Sequence, residues 1–330
     1  MGWSGSLSAE SGIGAAIVFT PETAAVGAYT SGSFTAPKKG VYRFRLKGSS
    51  GGAAQAANGN GGYGNAAGGA GGATDGYLLM EAGQTVYVGA GGLCSAAYVA
   101  GASGAFAQLA AGSLLFVAGG GGQGGRFYDS NYYTGYNCSP HAGCTGGGAS
   151  GGARTHELNG YSGTQSAAGT GVTGAGGGYP AVGRTGGNGG GAGDTGYAST
   201  GGRGGDGYFG GGGGKATSST TGCSAGGGGG GSGYIGAASL SVSGTTYMNT
   251  TSEGQGAAAG ACGSVEVSYH ARAELPVVFN GTRLTQLVFN GTQVGSLVYN
   301  GTRLFMRRLK SMTRAVTRAM TRATRERRAC

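Results

Sequence analysis

The chain has 330 residues, 83 of them Gly and only 5 Pro. Collagen needs Gly at every third position with abundant Pro, so Gly runs of four to six residues exclude it. A flexible linker is rich in Ser and charge, whereas here charged residues are 10% and 18 Tyr and 10 Phe are spread along the chain. An ordered fold is the expectation, with glycines packed on one another and aromatics filling gaps. The net charge of +10 is concentrated at one end: residues 306–330 hold nine of the 22 Lys/Arg and one of the 12 Asp/Glu. The rest is nearly neutral, so nucleic-acid contact is an expectation for the tail alone.

In chain order, residues 1–28 read as a small polar lead-in with Ile17, Val18 and Phe19 as one strand. Residues 29–270 read as one domain. Val41 to Lys47 alternates strictly, with Tyr42, Phe44 and Leu46 on one face and Arg43, Arg45 and Lys47 on the other. That is a half-buried strand with a wet basic face. Tyr77–Met80 and Thr85–Val88 flank a turn at 81–84 and predict a hairpin. Phe106–Leu109 and Leu114–Val117 predict a second strand pair. Ser264–Tyr269 alternates again and reads as a closing strand. Between these lies the glycine-rich region, 119–236, where side chains cannot make a core.

Residues 271–305 carry a ten-residue repeat: VVFNGTRLTQ, LVFNGTQVGS and LVYNGTRLFM. Asn280-Gly281, Asn290-Gly291 and Asn300-Gly301 are type I′ hairpin turns by composition. The middle unit predicts Phe289 opposite Thr292, Val288 opposite Gln293 and Leu287 opposite Val294. In the tail, 306–330, a four-residue repeat puts Arg314, Arg318 and Arg322 on one stripe of a helix. This tail is a candidate contact for nucleic acid or an acidic partner.

Candidate chemistry is sparse. Leu114 to Gly124 resembles a strand running into GxGxxG, but no helix follows. Gly210 to Lys215 lacks the Gly and Ser/Thr that a phosphate loop requires, since Phe209 and Ala216 occupy those positions. Cys138, His141 and Cys144 are the one metal candidate, with His156 as a distant fourth ligand. A local Cys138–Cys144 disulfide and free thiols are the competing readings. No catalytic constellation emerges, so the chain is read as not an enzyme and without a cofactor. No apolar run approaches the ~20 residues of a membrane span, and no secretion signal is read at the N-terminus. Tyrosines in glycine loops suit recognition, because a rigid ring with one polar tip costs little entropy to fix. Candidate receptor contacts are Tyr128, Tyr132, Tyr133, Tyr136, Tyr161, Tyr179, Tyr197 and Tyr208.

At Leu114-Leu-Phe-Val-Ala-Gly-Gly-Gly-Gly122, Tyr208-Phe-Gly-Gly-Gly-Gly-Gly214 and Gly222-Cys-Ser-Ala-Gly-Gly-Gly-Gly-Gly-Gly-Ser-Gly-Tyr-Ile-Gly236 the chain resembles the glycine-rich domain of anaplastic lymphoma kinase and leukocyte tyrosine kinase ectodomains. The order of the runs matches, over roughly 30–240. The match is read as departing from those receptors in the kinase, the membrane span and the signal peptide, none of which is expected here. The resemblance implies an all-β fold: a β-sandwich of tumour-necrosis-factor-like type with an inserted bundle of glycine polyproline-II helices. Gly226, Gly228, Gly231 and Tyr234 then belong to the structural lattice. The opening Ser33 to Gly48 and the VxFNGT units also resemble modules of bacteriophage tail fibres. They imply a virion protein made in the host cytoplasm: a tail-tip or tail-fibre adhesin binding a host surface receptor such as a carbohydrate. Other tail proteins and sister subunits, as a homotrimer, are the expected partners. The alternative is a capsid or tail connector without a receptor, or nucleic-acid contact through the tail.

Overall fold

The computed structural model describes residues 3–8, 11–53, 62–129, 137–194, 197–219, 222–242, 244–272, 277–279, 282–284, 287–289 and 292–294. Two compact units divide between Arg272 and Ala273. Among the described residues the structure is all-β, interrupted by single 3₁₀ turns at Phe106–Gln108 and Ala111–Ser113.

The first unit is built on two sheets. A six-stranded sheet runs in the order Trp3–Gly5, Tyr29–Thr35, Thr85–Gly91, Ala97–Ala100, Leu114–Ala118 and Tyr234–Ile235. A five-stranded sheet runs Thr250–Ser252, Ala73–Met80, Gly40–Lys47, Ser264–Arg272 and Ala16–Phe19. Alternation along Gly40–Lys47 decides which face is covered. Tyr42, Phe44 and Leu46 are buried, while Arg45 and Lys47 are exposed. These side chains meet Phe34, Val88, Val99 and Phe116 of the six-stranded sheet in one apolar cluster. Phe44 and Phe116 lie 6.2 Å apart across it. Gly76 lets the Phe116 ring lie against the strand, since a Cβ there would fall within 3.0 Å of three ring carbons. Full burial of one such side chain contributes about 1.5–3 kcal/mol.

Two expected strand pairings are corrected. Ala73–Met80 and Thr85–Gly91 do not pair; they belong to different sheets. The 81–84 turn carries the chain from one sheet to the other. Its Gly83, at φ 83°, donates its N–H to the Ala36 carbonyl, and Ala36 N–H bonds the Gln84 carbonyl. Phe106 is not in a strand but in a 3₁₀ turn that packs its ring on Tyr98, with centroids 5.0 Å apart.

The glycine runs form a lattice of backbone on backbone. Residues 226–231 show its geometry. A Cβ added at Gly226 or Gly229 would strike the carbonyls of Leu158 or Tyr161. At Gly227 or Gly230 it would strike Ala142 or Thr145, and at Gly228 or Gly231, Arg203 or Asp206. Successive residues thus face three neighbouring segments in turn, with a period of three. Hydrogen bonds follow the same period. Gly228 and Gly231 N–H bond the carbonyls of Gln123 and Gly120 at 2.8 and 2.9 Å, and Gly226 and Gly229 N–H bond those of Lys215 and Gly212 at 2.8 Å. Where no backbone carbonyl arrives, side chains substitute: Asn159 Oδ1 accepts from Gly227 N–H at 2.8 Å and Ser162 Oγ from Gly230 N–H at 3.0 Å. None of glycines 119–122, 210–214 or 226–231 lies in the left-handed region. Glycine is needed here for close approach, not for an unusual backbone conformation.

Two short sheets flank this lattice. One runs Gly191–Asp194, Tyr197–Thr200, Arg126–Asp129 and Gly62–Asn65; the other runs Asn137–Pro140, Gly222–Ala225 and Ala216–Ser219. In the second unit, Val277–Phe279 pairs with Thr282–Leu284 and Leu287–Phe289 with Thr292–Val294, both antiparallel. Phe289 stands opposite Thr292 and Leu287 opposite Val294. The Asn280-Gly281, Asn290-Gly291 and Asn300-Gly301 turns and Arg314, Arg318 and Arg322 lie outside the described residues.

Candidate functional site

The glycine runs that resemble phosphate-binding loops spend their N–H groups inside the protein. Gly210 to Gly214 donate to the carbonyls of Gly183, Gly205, Tyr161, Tyr179 and Gly202. Gly120, Gly121, Gly122 and Gln123 donate to Asp206, Ser49, Cys144 and Arg203. A phosphate cradle needs several such groups converging on solvent.

The cysteine–histidine cluster is also taken apart. Cys144 is a free, buried thiol, so the Cys138–Cys144 disulfide does not form. Its backbone is fixed in the lattice, with Cys144 N–H on the Gly228 carbonyl at 2.9 Å. Cys223 is disulfide-bonded, and the backbone of Cys138 lies opposite it in parallel register. His141 stacks face to face on His156, with centroids 3.5 Å apart and planes 9° from parallel. Lone pairs lie in the ring planes, so two parallel rings do not aim at one ion. Among the described residues no three His, Cys, Asp or Glu gather as a metal set. Burial, and then the neighbouring His156, lowers the His141 pKa from its ordinary value.

Asp206 and Arg203 were not singled out in the sequence, yet they make a buried ion pair between lattice and sheet. Arg203 Nη2 bonds Asp206 Oδ1 at 2.6 Å, and the other carboxylate oxygen accepts from the Tyr29 hydroxyl at 3.0 Å. Gly186 N–H adds a bond at 2.8 Å, and Tyr29 in turn accepts from Ala96 N–H at 2.9 Å. Burial raises the Asp206 carboxyl above its ordinary range against the pull of Arg203. Burial also pushes the neighbouring Cys94 thiol up to about 12, leaving it unreactive. Both carboxylate oxygens of Asp206 and the Tyr29 hydroxyl are engaged, so the network fastens the lattice to the sheet.

The candidate tyrosines separate into distinct environments. Tyr161 and Tyr179 are 48% and 62% exposed, and the Arg154 guanidinium sits 4.1 Å over the Tyr161 ring. Tyr128 and Tyr197 are placed by register in the four-stranded short sheet, Tyr128 opposite Tyr63 and Ala198, Tyr197 opposite Asp129 and Asp194. Tyr208 is half-buried, stacked on Tyr234 at 3.9 Å with Arg184 5.1 Å from its ring. It packs on the second apolar cluster, beside Leu109 and Leu114. Tyr132, Tyr133 and Tyr136 lie outside the described residues. The strands on either side of 130–136, Arg126–Asp129 and Asn137–Pro140, belong to the two short sheets, which touch each other.

No protein-family model matches the chain, and a comparison with the curated proteins finds no match. Among the described residues no helix is long and apolar enough to cross a membrane.

Proposed function

We propose that this chain is a bacteriophage virion protein, a tail-tip or tail-fibre adhesin that binds a host surface receptor. In this reading the two main sheets are a β-sandwich of tumour-necrosis-factor-like type, and the lattice is a bundle of glycine polyproline-II helices. The shared core of the two sheets supports the first part. The three-residue period of neighbours along 226–231 supports the second, because a polyproline-II helix has three residues per turn.

The observation that carries the adhesin reading is a rigid, side-chain-poor lattice that leaves tyrosines outside it. Tyr161 and Tyr179 stand exposed on segments whose backbones are pinned: Tyr161 N–H bonds the Thr170 carbonyl at 3.0 Å and Tyr179 N–H that of Asn188 at 2.9 Å. Preorganised aromatic groups bind without paying further ordering entropy. Immunogold labelling of phage particles with antibody to this chain tests the placement. Label at the tail end supports an adhesin. Label on the capsid supports the connector instead, and unlabelled particles end the virion reading.

A further inference from the structure

The outer face of the five-stranded sheet carries a cluster that the tyrosine loops do not explain. Register places Tyr77 opposite Arg43, and Asp75 and Glu266 on either side of Arg45. At the register shift between Tyr269 and Ala271, His270 is the extra residue, and a bulge of this kind re-aims a side chain. The hairpin of Leu240–Val242 and Thr245–Tyr247 supplies Tyr247. The three rings meet: Tyr77 to Tyr247 is 5.4 Å, Tyr77 to His270 5.2 Å, and Tyr247 to His270 5.5 Å between centroids. The Arg43 guanidinium lies 5.7 Å from the Tyr77 ring.

Three features distinguish this cluster from ordinary packing. Each ring is only half-buried, and Met248 and Leu79 beside them are 62% and 40% exposed. Among the described residues no hydrogen bond engages the hydroxyls of Tyr77 and Tyr247 or the imidazole of His270. The flanking charges are already paired, Arg43 with Asp75 at 3.1 Å and Arg45 with Asp75 and Glu266 at 3.7 and 3.8 Å. Ring faces accept the C–H side of a sugar, and ring-edge hydroxyls with planar ion pairs exchange hydrogen bonds with its hydroxyl groups. A phosphate or uronate needs an unpaired cation, and neither Arg43 nor Arg45 is one.

We propose that Tyr77, Tyr247 and His270 form a binding site for a neutral, hydroxyl-rich glycan. The site rests on the adhesin reading only for where that glycan comes from. Calorimetric titration of the full chain with cellohexaose, laminarihexaose, chitohexaose and mannohexaose, with polygalacturonate as the anionic probe, tests it. At least one neutral oligosaccharide should bind in the millimolar range or tighter. Tyr247→Ala should weaken it about tenfold or more at an unchanged thermal midpoint, and Tyr247→Phe should keep most of the binding. Absence of neutral binders, binding of polygalacturonate alone, or equal affinity in Tyr247→Ala overturns the site. Tyr161→Ala serves as the comparison: loss there and not in Tyr247→Ala moves the sugar to the lattice tyrosines and overturns this site while leaving the adhesin standing. Sugar binding without attachment to any bacterial envelope does the reverse.

Discussion

A methyl group at Gly228 would lie within 3.0 Å of the Arg203 carbonyl carbon and oxygen, whereas at Gly112 nothing lies within 4 Å. The same substitution therefore has two outcomes. Gly228→Ala should cost about 1–3 kcal/mol or more, because backbone on both sides is fixed. Gly112→Ala should stay within about 0.5 kcal/mol of the parent. Urea unfolding of both variants checks this, and equal stability would remove the close-approach account of the lattice. His141 gives a pH prediction. Its pKa is held below the ordinary value of 6.5 by burial and by His156, so the unfolded chain binds the proton more readily. The stability it contributes is complete above the unfolded pKa and is lost as pH falls through it. His270 is lowered too, by burial and by Arg43, and adds to the slope. The thermal midpoint should drop between about pH 7.5 and pH 5, and drop less in His141→Asn. An unchanged slope would mean that the stacked pair is not sensed.

At the scale of elements, side chains decide what could be read in advance. The Val41–Lys47 strand was legible because alternating Tyr, Phe and Leu must share a face, and they do. The 81–84 turn was misread as a hairpin because four residues with a Gly suit a strand reversal and a crossing between sheets equally well. Only the partner of its backbone, Ala36, separates the two. The lattice is the hardest case. That glycines pack was readable from composition, but which run lies beside which was not, since no side chain encodes the neighbour. Asn159 and Ser162 are the exception: two short polar residues three apart, matching a lattice period of three. The eight candidate tyrosines share one composition and could not be sorted by sequence; burial separates Tyr208 from Tyr161 and Tyr179. The Arg203–Asp206 pair was invisible because its partners, Tyr29 and Gly186, are remote in sequence. Asp206→Ala leaves Arg203 buried without its counter-charge. It should destabilise the first unit by about 3–5 kcal/mol in chemical denaturation. A loss under about 1 kcal/mol would show that water reaches the pair and that it fastens nothing.

At the scale of the whole first unit, an apolar core and a polar backbone lattice coexist in one chain. The core gains from removing side chains from water, as any β protein does. The lattice buries backbone, where each satisfied hydrogen bond contributes only about 0.5–1.5 kcal/mol and each unsatisfied one costs more. It must therefore be satisfied almost everywhere at once, and Gly120 to Gly122, Gly210 to Gly214 and Gly226 to Gly231 all donate their N–H groups to acceptors within the protein. Such a body is cooperative: removing one segment strands the donors of several others. Rigid presentation of tyrosines, and hence the adhesin role proposed above, depends on that cooperativity. Native-state amide hydrogen exchange resolved to single residues tests it most directly. The N–H groups of Gly120, Gly121, Gly122, Gly210 to Gly214 and Gly226 to Gly231 should exchange only through global unfolding, as slowly as those of Tyr42, Phe44 and Leu46 in the core strand. Exchange of these glycines within seconds, while the core strand stays protected, would contradict the account.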